Sequence, residues 1–214
     1  MRVFDFDNTI YDGESGFDIF MYYLKKEPKL IAKYIPKFGE GFVRYKMGKV
    51  PLAEVKSEYG YILKECCAQL DDIEQTIVDF WDEHEKKIKS FYPKIQHEDD
   101  VIVSACPEVM LGEICRRIGI GHFIGTEVDL KTGEIGRICY REAKISAFYE
   151  QYGEQEIDEF YTDSMNDRAM MDISKDVYYV TGDRIEKIKA DGVWLKELDL
   201  SLIHISEPTR PISI

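Results

Sequence analysis

The chain has 214 residues, 44% hydrophobic and 32% charged, with a net charge of −13, so the expectation is one globular domain carrying an insertion, or two small domains. The acidic balance argues against a general nucleic-acid or anionic-membrane surface, and no apolar run approaches the ~18–20 residues of a membrane-crossing helix. The five cysteines, Cys66, Cys67, Cys106, Cys115 and Cys139, contain no C-x-x-C pair, and acidic residues interrupt the N-terminal segment by Asp5. A reduced, cytoplasmic setting is therefore expected, not a disulfide framework, a zinc site or a signal peptide. Residues 2–7 are a short apolar run and read as a buried strand. A turn at Asp12-Gly13 follows. Ser15-x-x-Asp18 has capping-box spacing, and Phe17, Phe20, Met21 and Leu24 stripe the helix after it.

Ile31, Tyr34, Ile35 and Phe38 mark a second helix that Pro36 should kink or end. Leu52, Val55, Tyr59, Ile62, Leu63 and Cys66 mark a third, and Ile73, Ile77, Phe80, Trp81, His84 and Ile88 a fourth. Residues 14–92 thus read as all-helical, with the lysines at 86, 87 and 89 as a solvated helix end and His84 and His97 as surface or cap residues. A strand returns at 101–104, and Pro107 suits the first position of a helix striped by Leu111, Ile114, Cys115 and Ile118. Residues 122–130 and 135–140 suggest a hairpin split by Lys131-Thr-Gly133. A helix striped by Ile145, Phe148, Tyr149 and Tyr152, a strand at 159–162, a short helix near 167–171 and a strand at 177–180 complete the pattern. Strand and helix in alternation predict a doubly wound parallel sheet, an α/β core of residues 1–13 and 93–199 interrupted by a helical block, 14–92. Residues 200–210, LSLIHISEPTR, resemble the translation of a sequencing adapter, so 200–214 are set apart as a non-native tail.

The chemistry gathers at strand ends, where ligands bind in open parallel sheets. Asp5 and Asp7 close the first strand, Ser104 the second, and Asp163 a third. Side chains two apart on a strand share a face, so Asp5 and Asp7 repel and raise each other's pKa. Three carboxylates and a hydroxyl make a hard-oxygen site suited to Mg²⁺, which accepts one or two carboxylates together with phosphate and water. An EF-hand is excluded, because Thr9 and Ile10 stand where a ligand and the invariant Gly belong. Cys106 reads as a small buried residue.

Taken together, Asp5-Phe-Asp7-Asn-Thr9, the strand VIVSACPE with Ser104, the helix CYREAKI with Lys144, and YTDSMNDRAM with Asp163 and Asp167 resemble the four motifs of the haloacid dehalogenase-like (HAD) superfamily. Within it they resemble the phosphoserine-phosphatase-like branch, whose helical cap lies between the first and second motifs. The resemblance spans about residues 1–199. It implies an HAD-like core with an inserted helical cap and an Mg²⁺-dependent phosphatase acting through an aspartyl-phosphate. Asp5 would be the nucleophile and Asp7 the general acid and base. Ser104, Lys144 and the backbone near Ala105 would hold phosphate, and Asp5, the Asp7 carbonyl and Asp163 the metal. Asp167 would hold a metal-bound water or orient Lys144, and Thr9 would support Asp7. The expected substrate is a small organic phosphate monoester chosen by cap residues such as Tyr22, Tyr23, Phe42, Arg44, Tyr45 or Lys46; neither nucleic acid nor membrane is an expected partner. Glu14 stands near the place where the branch has an acid facing a substrate amine, although the spacing is not clearly matched. A phosphotransferase uses the same groups. A signalling receiver domain carries its acidic pair and phosphorylated Asp on different strands and has no such helical insertion, and a carbon–halide hydrolase of the superfamily does without Asp7.

Overall fold

A computed structural model describes residues 1–47, 49, 60–69 and 72–195; the start of the third predicted helix and the set-apart tail lie outside them. The centre is a seven-stranded sheet of order β3-β2-β1-β6-β7-β8-β9. It comprises β1 (Arg2–Phe4), β2 (Val101–Pro107), β3 (His122–Thr126), β6 (Ile157–Thr162), β7 (Ser174–Thr181), β8 (Arg184–Ala190) and β9 (Val193–Trp194). The first five of these run parallel, and β8 and β9 are antiparallel at one edge. The chain leaves β1 toward β2 and β3 on one side and returns to β6 on the other. That reversal at β1 is where an open sheet forms a ligand crevice.

Alternation along the strands feeds two buried layers. Phe4, Ile102 and Tyr161 enter one cluster, and Val3, Val101, Val103 and Phe160 the other, as a period of two dictates. The first layer is closed by α7 (Glu108–Ile118) through Met110, Leu111, Ile114 and Cys115, and the second by α8 (Ala143–Tyr152) and α9 (Arg168–Ile173). Between β1 and β2 in the chain run α1 (Ser15–Lys26), α2 (Pro28–Ile31), α3 (Ile35–Lys46), α4 (Gly60–Gln69), α5 (Ile73–His84) and the short α6 (Tyr92–Ile95). Ile77, Phe80 and Trp81 of α5 join the first layer beside Phe6 and Tyr11, and Trp81 Nε1 donates to the Met110 carbonyl at 2.9 Å. This helix is therefore packed directly onto the sheet's own core.

Several local expectations change. Pro36 is the second residue of α3, after a 3-10 turn at Ala32–Tyr34, where its missing N–H costs nothing. Pro107 ends β2 and precedes α7. The predicted hairpin shrinks to β4 (Val128–Asp129) and β5 (Glu134–Ile135), because His122–Thr126 pairs in parallel with β2. Phe123 and Ile124 contribute to opposite layers, as a strand covered on both faces requires. Gly133, at φ +68°, turns that hairpin against α4; a Cβ there would meet Lys64 Cα at 2.4 Å, so glycine is required. Ser15 does not cap α1 through its side chain: Glu14 precedes the helix without a cap bond, and Asp18 instead accepts from the Tyr11 hydroxyl at 2.6 Å and the Lys87 ammonium at 2.5 Å. Tyr149 is exposed on α8. His84 ends α5 and is the N-cap of the 3-10 turn Glu85–Lys87; it stacks on Phe80 with ring centroids 4.2 Å apart, and its Nδ1 lies 2.9 Å from the Phe80 carbonyl.

Candidate active site

Asp5 emerges where β1 ends. Its N–H donates to the Tyr161 carbonyl at 2.9 Å, which fixes it in the centre of the sheet between β2 and β6. The strand stops there because the chain turns sharply: the Phe6 carbonyl accepts from Thr9, Ile10 and Tyr11, and Asn8 takes a left-handed φ of +56°, a conformation asparagine tolerates. Asp7 lies just past the end of β1 and is bridged to Tyr11.

The two carboxylates have different partners. The Asp5 carboxylate meets Lys144 Nζ at 2.8 Å and the Thr9 hydroxyl at 3.2 Å. Asp7 Oδ1 accepts the backbone N–H of Ser15 at 2.8 Å, at the start of α1. Burial raises the pKa of Asp7 well above the ordinary carboxyl range, with the charges of Glu14 and Asp5 adding to it and the Ser15 bond opposing. Glu14 is itself held by the Asn8 side-chain amide at 2.6 Å.

Lys144 projects from the first turn of α8 and is buried. Its ammonium bridges Asp5 and, at 2.7 Å, Asp167. Burial pushes its pKa down, but the two carboxylates push harder and the net movement is upward, so it stays cationic. Asp167, the N-cap of α9, also accepts from the Thr162 hydroxyl at 2.9 Å. Burial lifts its pKa to about 6 against the pull of Lys144. Thr162 was not evident from sequence.

Thr9 connects two strand ends. Its Oγ1 accepts the Asp163 N–H at 3.0 Å and lies 3.5 Å from Asp163 Oδ1. Ser104, on the other flank of β1, is buried, and its Oγ accepts the Cys106 N–H at 3.1 Å. The pairing of β2 with β3 shifts register between Val103 and Pro107, so Ser104 and Ala105 lie in an irregular stretch of the kind that re-aims groups beside active sites. Burial drives the Cys106 thiol well above its usual pKa, which leaves it an inert core residue, as expected.

Asp5 and Asp163 converge on one hydroxyl with oxygen donors only, which suits Mg²⁺. The Asp7 carboxylate, engaged by Ser15, would leave its backbone carbonyl as the remaining donor. Among the described residues, three carboxylate or imidazole donor atoms lie within 4.8 Å of one another at His97, Asp99 and Asp100, at the opposite end of β2. Arg2 Nε there lies 3.4 Å from Asp100, a cation already placed against that cluster.

The lysine run is a solvated helix end only in part: Lys86 is exposed, and Lys89 is not. Lys89 is buried, and its ammonium donates to the Asn8 carbonyl. The only sequence signal was its position just before the aromatic Phe91-Tyr92 pair. Of the suggested cap residues, Tyr22 is core, edge-on to Phe80 at 5.7 Å; the side chains of Phe42, Tyr45 and Lys46 lie outside the described structure. Among the described residues no helix is long and apolar enough to cross a membrane.

No curated protein sequence matches the chain. Among solved structures, a protein of unknown function from Bordetella pertussis Tohama I is similar at a TM-score of 0.65 with 18% identity, over 80% of this chain and 85% of that one. A phosphoserine phosphohydrolase-like protein from Francisella tularensis subsp. tularensis SCHU S4 is similar at 0.50 with 15% identity, over 83% and 86%. Likeness at such identity shows a shared fold. The model of the haloacid dehalogenase-like hydrolase family matches residues 3–172, and the chain belongs to that family.

Proposed function

We propose that this hydrolase is an Mg²⁺-dependent phosphomonoesterase acting on a small organic monophosphate, with residues 14–92 as the cap that selects it. The observation that carries the reading is the buried Asp5–Lys144–Asp167 bridge, at 2.8 and 2.7 Å. A lysine shared between two acids sets a buried positive charge against the first and still offers N–H groups to an anion.

In this mechanism an Asp5 oxygen attacks phosphorus and forms the aspartyl-phosphate as the bond to the leaving alcohol breaks. Asp7, whose pKa is raised by burial, gives the departing oxygen its proton and then takes one from the water that attacks the phosphorus. Lys144, the Ser104 hydroxyl and the backbone at Ala105 hold the equatorial oxygens. Asp167 aims Lys144. Asp5, Asp163 and the Asp7 carbonyl would hold Mg²⁺, which when bound supplies positive charge against the transferring phosphoryl group. Thr9 keeps the first two in register. A small helical cap closing over the site favours a small substrate, because closure must exclude water around it.

Asp5→Asn should abolish hydrolysis of p-nitrophenyl phosphate, and EDTA should do the same reversibly. Full activity in that variant overturns the reading. Measuring free phosphate against phosphorylated acceptor separates hydrolysis from transfer to a second alcohol.

A further inference from the structure

Lys89 has no part in the mechanism above, yet the fold holds it with unusual completeness. Its backbone N–H donates to the Ile10 carbonyl at 2.8 Å, and its own carbonyl accepts from Tyr92 at 3.1 Å. Its ammonium reaches the carbonyl of Asn8, the residue between Asp7 and Thr9. It is 7% exposed. No carboxylate among the described residues forms an ion pair with it, but its charge acts on Asp163, Asp12, Asp183 and Asp5. Two of those are the carboxylates assigned to Mg²⁺. A buried ammonium is costly unless its surroundings use it, and a neutral residue could satisfy one carbonyl. Neighbouring Lys87 is spent on Asp18 at 2.5 Å, so it does not duplicate this charge.

We propose that Lys89 is a fixed internal cation of the site, a positioning residue anchored on the Asn8 carbonyl, that weakens the resting hold on Mg²⁺ and strengthens the hold on the phosphate anion. The inference rests on the phosphatase reading. Its logic is one of sign. A positive charge near Asp163 and Asp5 repels a metal and attracts a phosphate, whereas a residue that only holds the Asn8 turn in shape would serve both ligands alike.

The test measures binding, without turnover. Mg²⁺ alone is titrated calorimetrically into wild type and Lys89→Met, and inorganic phosphate is then titrated at saturating Mg²⁺. Lys89→Met should bind Mg²⁺ more tightly and phosphate more weakly, each by on the order of tenfold. Lys89→Gln keeps a donor for Asn8 without the charge; it should repeat both shifts, and it carries the test if the methionine variant does not fold. Weakening of both ligands, no change in either, or wild-type values in Lys89→Gln overturn the inference. A wild type that binds neither ligand and hydrolyses no monoester overturns the phosphatase reading, and this inference with it.

Discussion

Replacing Lys144 with Met removes the one cation between Asp5 and Asp167 while nearly keeping its volume. All three side chains are at most 10% exposed, so solvent screens little of what is lost. Breaking a buried pair by deleting one partner costs about 3–5 kcal/mol, and here one ammonium serves two acids. For a chain of this size that is a fall of about 10 °C in Tm. The cost depends on pH in a definite sense. Asp167 titrates near 6 in the folded protein, above the ordinary carboxyl value of 3.8, so the native state binds its proton more tightly than the unfolded chain. Stability from this group therefore falls as pH rises between about 4 and 6. Without Lys144 the Asp167 value climbs further, and the fall continues to higher pH. Urea unfolding at pH 5 and pH 8 should show a gap between variant and wild type that is wider at pH 8. Activity on p-nitrophenyl phosphate should drop by about 100- to 1,000-fold, since a donor to the transferring group is gone as well. A variant as stable as wild type at pH 8, or one destabilised more at pH 5, would falsify the account of the bridge.

Other outcomes follow from neighbouring contacts. The kcat of the wild type should fall on the acid side with a midpoint near 6, as Asp167 takes a proton and releases Lys144; Asp167→Asn should flatten that limb in a profile from pH 5 to 9, and an unchanged limb refutes the assignment. Lys189→Met should cost about 2–4 kcal/mol in urea unfolding, because the buried ammonium donates to the carbonyls of Met171, Asp172 and Ser174 at 2.9, 2.9 and 2.7 Å and so closes the end of α9. The kcat of that variant should stay within about twofold of wild type.

The parallel sheet was legible because its strands are buried on both faces, and a continuous apolar run such as VIV at 101–103 has few other homes. The edge strands were not. β8 carries Ile185 and Ile188, three apart and in opposite layers, so neither face repeats an apolar position, and its pairing with β7 shifts register between Val177 and Tyr178, which interrupts the period of two on which strand reading depends. Lys189 disguised it further, since its charge is buried for the sake of helix carbonyls contributed by another element. In the site, Asp5 and Asp163 could be placed because each follows the end of a strand, whereas Lys144 and Asp167 came from the resemblance to the family's motifs. The partner of the Asp7 carboxylate could not, since it depends on Ser15 N–H arriving at the start of α1. Lys89 stayed hidden for the same reason. Nothing in KKIK distinguishes a lysine facing water from one whose backbone is bonded to Ile10.

The charges of the site explain why it tolerates so much burial. Asp5, Asp163 and Asp167 lie against the ammonium groups of Lys144 and Lys89. Burial and Glu14 raise the pKa of Asp7; counted as neutral, it leaves those three carboxylates against two ammonium groups. A divalent cation turns that balance positive by one, and a phosphate monoester dianion returns it to minus one. The cation alone leaves this set at plus one, whereas the dianion alone would leave it at minus three, so on the proposed mechanism the metal's charge is what admits the phosphate. On the proposed mechanism the acid bonded to lysine attacks, and the acid whose pKa burial raises has a proton to give.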